Sequence, residues 1–316
     1  MKWGPVWLLV GALGCGRNEV SPAGDQTGGA SGTGGGTGAA GSSGTSSECA
    51  LTFEGQSEPR FEQPASRVRV FAGSYFTVVE AAFLDGPRPE LHTEAERSGD
   101  CRMLTYDSPS FCDPACENPE ICIGGACERF PEPVSAGALS VELGADQKVE
   151  VPPSNVGRYY WGTEDFGYDV VPSVNVSAPG EVAPGFELAA CLSPAPQPTT
   201  EWNELLEQRA PGEDVVLAWS NPVETARVYL RMTTCIGTHG GISPVEIECE
   251  GKDVGKLTLP GVFLDALYEQ GWGRGECGTN DVWRYHATEL GSGDAAVQLR
   301  AESGASFYFQ PRLGGP

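Results

Sequence analysis

The sequence is poor in basic residues. In 316 residues it has 20 Lys and Arg against 43 Asp and Glu, which gives a formal net charge of −23 at pH 7. Such an excess of negative charge repels phosphate backbones and anionic headgroups, so the composition argues against nucleic-acid binding and against electrostatic membrane binding. It favours solubility outside the cell. Binding of divalent cations is the other interpretation of the acidic residues, but the D-x-[DN]-x-[DN]-G loop of calcium sites is absent.

The sequence also lacks an apolar run of the ~20 residues that a membrane-spanning helix requires. A shorter apolar stretch occupies 6–13, with Lys2 before it and Gly14 after it, directly before Cys15. This layout is that of an export signal with a cleavage site. Segment 1–14 resembles a bacterial lipoprotein signal, and the resemblance implies that Cys15 is acylated and holds the protein at a lipid bilayer.

An ordinary secretory signal is the alternative, because Ala12 and Gly14 are also small residues at the positions that a general signal peptidase prefers. The protein would then be secreted in free form. From 28 to 47 every residue is Gly, Ala, Ser or Thr, a composition that cannot bury enough apolar surface to fold. We therefore predict that 15–47 is a lipidated cysteine followed by a flexible linker, with an r.m.s. span of about 30 Å.

Cysteine is abundant, with 11 residues, and setting Cys15 aside leaves the even number that full disulfide pairing of an exported chain requires. The densest group lies within 111–133, where prolines and glycines separate the sulfurs. A four-cysteine zinc site is the competing interpretation, since the gaps within the group fit zinc ligand pairs. An oxidising compartment favours disulfides, so we predict no metal site. The candidates for disulfide bonding are Cys49, Cys101, Cys112, Cys116, Cys122, Cys127, Cys191, Cys235, Cys249 and Cys277.

The spacing of the dense group resembles that of small EGF-type knots, and the resemblance implies interleaved bridges, Cys112 to Cys122 and Cys116 to Cys127. For the remaining cysteines the hypotheses are Cys49 with Cys101, Cys249 with Cys277, and Cys191 with Cys235. Connectivity does not follow from sequence, so each pairing remains a hypothesis.

Short runs of β-branched and aromatic residues, separated by Gly, Pro and Asn turns, dominate the rest of the chain. They predict a mainly β protein in three parts: a small β domain at 48–110, a disulfide knot at 111–133 and a larger β-sandwich-like domain at 134–312. Strict alternation at 138–143 and 245–248 predicts strands with one solvated face.

Two short helices are predicted within the larger domain. The better one covers 260–270, where Pro260 begins the segment, apolar residues recur at helical spacing and Gly271 provides a C-terminal cap. The weaker one covers 201–208.

Several segments resemble uncharacterised lipoproteins of the myxobacterial type. Besides the tethered lipoprotein start and the knot, they are 99–104, 214–219, 245–249 and 257–260. The similarity covers nearly the whole chain. It supports the predicted architecture and location, but it implies no activity and no functional residues.

Motifs of known enzymes are missing. The chain has neither a G-x-S-x-G elbow, nor H-E-x-x-H, nor a glycine fingerprint for nucleotides, and its three histidines are His92, His239 and His286. We interpret each histidine as structural and predict no catalytic residues and no cofactor. A secreted hydrolase with an unrecognised nucleophile remains an alternative, which would bring His239 or His286 close to Ser, Asp or Glu.

One segment combines aromatic rings with carboxylates. The candidate ligand-binding residues there are Tyr159, Tyr160, Trp161, Asp165, Tyr168 and Asp169, and Trp202, Trp272 and Trp283 are further candidates elsewhere. Aromatic residues of β proteins usually form the core, but on exposed loops these side chains would suit a carbohydrate-binding module. We expect a non-enzymatic protein of the cell envelope, with a bilayer as one partner through Cys15 and an extracellular protein or glycan as another.

Overall fold

The computed structural model describes residues 52–53, 58–61, 64–74, 76–106, 112–118, 120–144, 147–163, 172–233, 243–269 and 280–307. The chain divides into two units, 1–46 and 47–316, and all of the described residues belong to the second. The predicted signal, Cys15 and the linker therefore lie outside the described residues. Neither helix of the described residues has the length and apolar character needed to cross a bilayer.

The described residues form eighteen strands and two α-helices. In chain order they are β1 (Ser66–Ala72), β2 (Thr77–Leu84), β3 (Thr93–Ser98), β4 (Cys101–Thr105), β5 (Glu120–Ile123), β6 (Ala126–Arg129), β7 (Pro133–Val134), β8 (Leu139–Leu143), β9 (Gln147–Val151), β10 (Arg158–Thr163), β11 (Ser173–Ala178), β12 (Phe186–Cys191), α1 (Trp202–Gln208), β13 (Val215–Ala218), β14 (Arg227–Thr233), β15 (Val245–Lys252), β16 (Lys256–Leu259), α2 (Gly261–Glu269), β17 (Asn280–Leu290) and β18 (Val297–Phe307). The mainly β prediction with two short helices is confirmed.

Ten strands form one sheet in the order β10-β2-β1-β18-β17-β14-β15-β4-β3, with β7 paired to β2. Its neighbours are antiparallel except for β1 and β18, which pair in parallel. A second sheet has the order β12-β11-β8-β9, and two-stranded sheets are formed by β13 with β16 and by β5 with β6.

Two apolar cores lie on the same face of the ten-stranded sheet. The first joins β1, β2, β10 and β18 to the four-stranded sheet and includes Val70, Phe83, Val141 and Val176. The second joins β14, β15 and β17 to both helices and the β13–β16 pair, and it includes Leu230, Ile247 and Phe263. Burial of the apolar residues on this face removes them from water and stabilises the sandwich.

The division predicted between a small β domain at 48–110 and a sandwich at 134–312 is corrected by the strand pairing. β1 lies beside β18, and β4 lies beside β15, so strands from both predicted domains alternate within one sheet. The order of the strands in the sequence does not predict this arrangement, because β1 and β18 pair although more than 200 residues of chain separate them.

The disulfides agree with the predicted knot and contradict two of the other predicted pairings, whereas the pairing of Cys191 with Cys235 stays a prediction. Cys112 is bonded to Cys122 and Cys116 to Cys127, as predicted, around the β5–β6 hairpin. Cys101 is bonded to Cys249, its direct partner in the β4–β15 register. The predicted bridges Cys49–Cys101 and Cys249–Cys277 are therefore wrong. Cys191 is also disulfide-bonded, while Cys49, Cys235 and Cys277 lie outside the described residues.

Candidate functional site

The face of the ten-stranded sheet opposite the two cores, here called the outer face, carries charged and aromatic side chains. On β15 it presents Glu246, Glu248 and Glu250, all of which are buried. The alternation at 245–248 predicted a solvated face, and that prediction is wrong for this strand. Its carboxylates are covered by arginines and by a segment of the chain that lies over them.

Buried carboxylates on this face are compensated by guanidinium and hydroxyl groups. Glu250 is fully buried and accepts hydrogen bonds from both Arg227 and the Tyr285 hydroxyl, the latter at 2.7 Å. Glu302 contacts Arg69 and Arg300, and Arg300 also lies over the rings of Tyr285 and Tyr229. Such pairing offsets the large desolvation penalty of buried charges and fixes their positions.

Residues 58–61 lie over part of the outer face. The Arg60 backbone N–H donates to Glu250, and its guanidinium donates to Glu289 at 3.1 Å. Arg102 lies over the ring of the buried Phe61, and the Glu58 carbonyl accepts from Arg227 at 2.8 Å. These contacts cover the side of the face toward β15 and β4.

The other half of the outer face carries a group of part-exposed rings, here called the aromatic patch: Phe71, Phe76, Tyr160 and Trp283, bordered by Arg69, Glu80 and Asp281. The register places these strands side by side, with Tyr160 opposite Glu80, and Glu80 opposite Arg69. Tyr160 is 71% exposed and Phe76 is 36% exposed. From β10 to β17 the patch spans five strands, about 19 Å at the usual strand spacing.

Three rings of the patch, those of Phe71, Phe76 and Trp283, hold each other in place. The Phe71 centroid lies 4.8 Å from the Trp283 ring and 5.2 Å from that of Phe76, both in edge-to-face geometry. Two glycines provide the space: a Cβ at Gly304 would come within 2.7 Å of the Trp283 ring, and one at Gly73 within 2.4 Å of the Phe76 ring. The positions of these rings therefore depend on glycine at both sites.

Charges of both signs surround the rings. The Arg69 guanidinium lies over the Trp283 ring, 4.9 Å from its centroid, and 3.9 Å from a Glu80 oxygen. The Asp281 carboxylate accepts from the Ser306 hydroxyl. Burial raises the pKa of Asp281 and Glu302 adds to this effect, whereas the Ser306 hydrogen bond and the Arg69 charge oppose it.

The structure separates the ligand-binding residues predicted at 159–169. Tyr159 is buried in the first core, where its hydroxyl accepts from the Ala136 N–H and donates to the Gly137 carbonyl, both at 2.9 Å. Trp161 packs against the same core. Among the described residues of this segment, Tyr160 alone belongs to the aromatic patch, because alternate residues of a strand point to opposite faces. Asp165, Tyr168 and Asp169 lie outside the described residues.

The tryptophan candidates outside 159–169 lie in different environments. Trp202 is buried in the second core against Trp219, whereas Trp283 belongs to the patch. Trp272 lies outside the described residues. Sequence reasoning missed Phe71, Phe76 and Arg69; the arginine–aromatic alternation of Arg67, Arg69 and Phe71 on one face of a predicted strand was the available signal.

His286 lies at a polar seam between the two cores. It is 3% exposed, with its Nε2 3.0 Å from Ser193 Oγ and its Nδ1 3.2 Å from Thr52 Oγ1. Its pKa is lowered to about 4, chiefly by burial and in second place by the nearby Arg284 charge, while Asp253 opposes the shift. A serine beside a histidine is an element of hydrolase sites, but so low a pKa leaves the imidazole a weak base at neutral pH.

The seam also contains a buried ion pair. Arg284 Nε lies 2.6 Å from Asp253 Oδ2, and both side chains are fully buried. Asp253 accepts in addition from Trp219 Nε1 at 2.7 Å, and Arg284 donates to the carbonyls of Pro194 and Asn221. These contacts compensate both charges within the protein. We therefore interpret the ion pair as structural.

Of the other histidines, His92 is partly buried and lies just before β3. Its Nε2 is 3.0 Å from the Ser243 carbonyl oxygen and 3.4 Å from a Glu246 carboxylate oxygen. His239 lies outside the described residues.

The knot is the one group of possible metal ligands among the described residues. The sulfurs of Cys112, Cys116 and Cys127 lie within 4.8 Å of one another. All three are in disulfide bonds, and a disulfide sulfur is not the thiolate that a zinc ion requires. The donor set of the described cluster therefore does not fit a resident zinc ion.

Comparisons with known proteins assign no family. No family model matches the chain, and no curated protein matches it. A solved structure with some likeness is titled "Crystal structure of Dpr11 IG1 bound to DIP-gamma IG+IG2"; it is 10% identical, the match covers 78% of this chain and 98% of that chain, and the TM-score is 0.20. At this TM-score the likeness carries no argument about fold or function.

Proposed function

We propose that the protein is a non-enzymatic, lipid-anchored protein of the cell envelope, related to the lipoproteins of myxobacterial type, and that its outer face binds a partner outside the cell. The observation that carries the binding role is the aromatic patch. Large part-exposed rings gathered on one face are a usual feature of interaction sites, because soluble proteins rarely leave such groups exposed without a function.

Two sets of observations support the envelope location. The sequence has an apolar start, a cysteine at position 15 and a Gly/Ser/Thr/Ala linker. The described residues contain three disulfides with both partners assigned, which persist in oxidising compartments. The tether would hold the folded unit away from the bilayer and leave its outer face accessible to partners.

The test of the location is acylation of the full chain in a bacterial host. We expect a clickable fatty acid to label the wild-type protein, and mass spectrometry to find a mature chain that begins at an acylated Cys15. Cys15→Ala should remove the label. Labelling that persists in this variant, or a wild-type chain that is unlabelled and keeps residues 1–14, would contradict the anchoring proposal.

The test of the binding role is photo-cross-linking in the intact envelope. A benzophenone amino acid replaces Tyr160 in the patch or, as a matched control, Val182, which is 76% exposed outside the patch. We expect a cross-linked product of higher mass from position 160 and none from position 182. Equal products from both positions, or none from 160, would show that the patch does not bind a partner.

A further inference from the structure

We infer that the partner of the aromatic patch is a neutral glycan; this inference rests on the binding role proposed above. Sugar rings present an apolar face of C–H groups and a rim of hydroxyls. A matching protein surface needs aromatic rings for the first and planar polar side chains for the second. The patch combines Phe71, Phe76 and Trp283 with the carboxylates of Glu80 and Asp281 and the guanidinium of Arg69.

The polar groups at the rim suit hydroxyls. Carboxylates accept hydrogen bonds and a guanidinium donates them, so a ligand whose hydroxyls do both can pair with each. Arg69 and Glu80 stand in register on neighbouring strands, with Tyr160 next to Glu80. A donor, an acceptor and an exposed ring therefore follow one another across three strands.

Charge selects the class of glycan. The bordering groups include both signs: Arg69 lies near Glu80 and Asp281, and Arg158 is exposed two residues from Tyr160 on the same strand. The chain as a whole has a formal net charge of −23. An anionic polysaccharide would be repelled by this charge, whereas a neutral one would not.

The patch is also preorganised. The rings of Phe71, Phe76 and Trp283 pack edge to face, and Phe76 and Trp283 occupy the space left by Gly73 and Gly304, so binding orders few of these side chains. The sheet provides an extended surface of about 19 Å across five strands, which suits a chain of several sugars rather than a single one.

The experiment measures binding of purified full-length protein in detergent to soluble neutral polysaccharides, such as mixed-linkage glucan, xylan and galactomannan, by affinity electrophoresis. We expect at least one of these polysaccharides to retard the wild-type protein, and we expect 0.5 M NaCl to leave this retardation unchanged.

Tyr160→Ala should weaken binding roughly tenfold through lost ring contact. Gly304→Ala should weaken it by displacing Trp283 while every ring is retained. Val182→Ala, at an exposed site elsewhere, should bind as the wild type does.

Circular dichroism of each variant shows whether the sheet is intact. Tyr160 is largely exposed, so its substitution keeps the test valid even if Gly304→Ala fails to fold. Binding that is confined to anionic polysaccharides, or that both patch variants leave unchanged, would overturn the inference. So would self-association in sedimentation that Tyr160→Ala abolishes without any glycan binding, because the patch would then be an interface between copies.

The two proposals fail separately. A cross-linked product at 160 whose added mass glycosidase leaves intact and mass spectrometry identifies as a second polypeptide, together with no polysaccharide binding, would contradict the glycan inference and preserve the binding role. Absence of a product at 160 would contradict both.

Discussion

At the scale of single residues, His286 is a titratable side chain that the fold almost completely removes from water. It lies between the hydroxyls of Ser193 and Thr52 and close to the buried Arg284–Asp253 pair. Burial lowers its pKa from 6.5 to about 4, with Arg284 as the second cause and Asp253 opposing. The folded protein therefore keeps the imidazole neutral under conditions in which the unfolded chain binds a proton.

This shift predicts a loss of stability in mild acid. Between pH 6.5 and about 4 the unfolded state binds more protons at His286 than the folded state, so the free energy of unfolding falls as the pH falls through this window. The loss attributable to His286 is on the order of 3 kcal/mol. Urea unfolding at a series of pH values should show it, and His286→Gln should reduce the slope in this window.

The comparison for this measurement is His92→Gln, which removes a histidine that lies away from the seam. A slope that His286→Gln leaves unchanged would mean that the acid sensitivity resides in other groups, such as the carboxylates of the outer face.

At the scale of elements, the disulfides have different structural roles. The bridges Cys112–Cys122 and Cys116–Cys127 close loops of similar short length around β5 and β6, which pair only with each other among the described strands. Cys101–Cys249 joins two strands of the large sheet across a separation of 148 residues. A cross-link that closes a longer loop restricts the unfolded chain more.

We therefore predict that the two kinds of bridge differ in their effect on stability. Replacing the four knot cysteines by serine should disorder 112–130 and leave the melting temperature of the sheet nearly unchanged. Cys101→Ala with Cys249→Ala should lower the free energy of unfolding by about 4–5 kcal/mol. Hydrogen exchange and calorimetry separate these outcomes. EDTA under non-reducing conditions should change neither; a loss of structure with EDTA would show that the knot holds a metal.

Strand prediction and pairing prediction differ in how far the sequence supports them. Local alternation at 227–232 and 245–249 predicts β14 and β15, and a proline-to-glycine segment predicts α2, because these signals reside in neighbouring residues. The parallel pairing of β1 with β18 and the Cys101–Cys249 bridge depend on contacts between distant residues. Those contacts have no local signature.

The candidate site follows the same rule. Tyr159 and Tyr160 are neighbours on β10, so their side chains point to opposite faces of the sheet. Which of the two side chains is buried in the core depends on the position of the four-stranded sheet. Trp283 could be singled out as an aromatic residue from the sequence. Its contacts with Phe71 and Arg69 can be predicted only when β17 and β1 are known to flank β18.

At the scale of the whole folded unit, two cores share one sheet. β1 and β2 contribute to the first core, whereas β4, from the same part of the chain, lies at the opposite end of the sheet beside β15. The strands of both cores are hydrogen-bonded within this sheet, so unfolding of one core removes hydrogen-bond partners from strands of the other. The β17–β18 pair, eleven residues long on each side, runs from one core to the other and couples them.

This arrangement predicts that the unit unfolds in one cooperative transition. Leu139→Ala in the first core and Phe263→Ala in the second each leave a cavity and should lower the free energy of unfolding by about 2–5 kcal/mol. Because the sheet is shared, both variants should move the same calorimetric peak to lower temperature. Two peaks, with each variant shifting a different one, would instead indicate that the halves of the sheet fold independently, as the boundary drawn from sequence order implied.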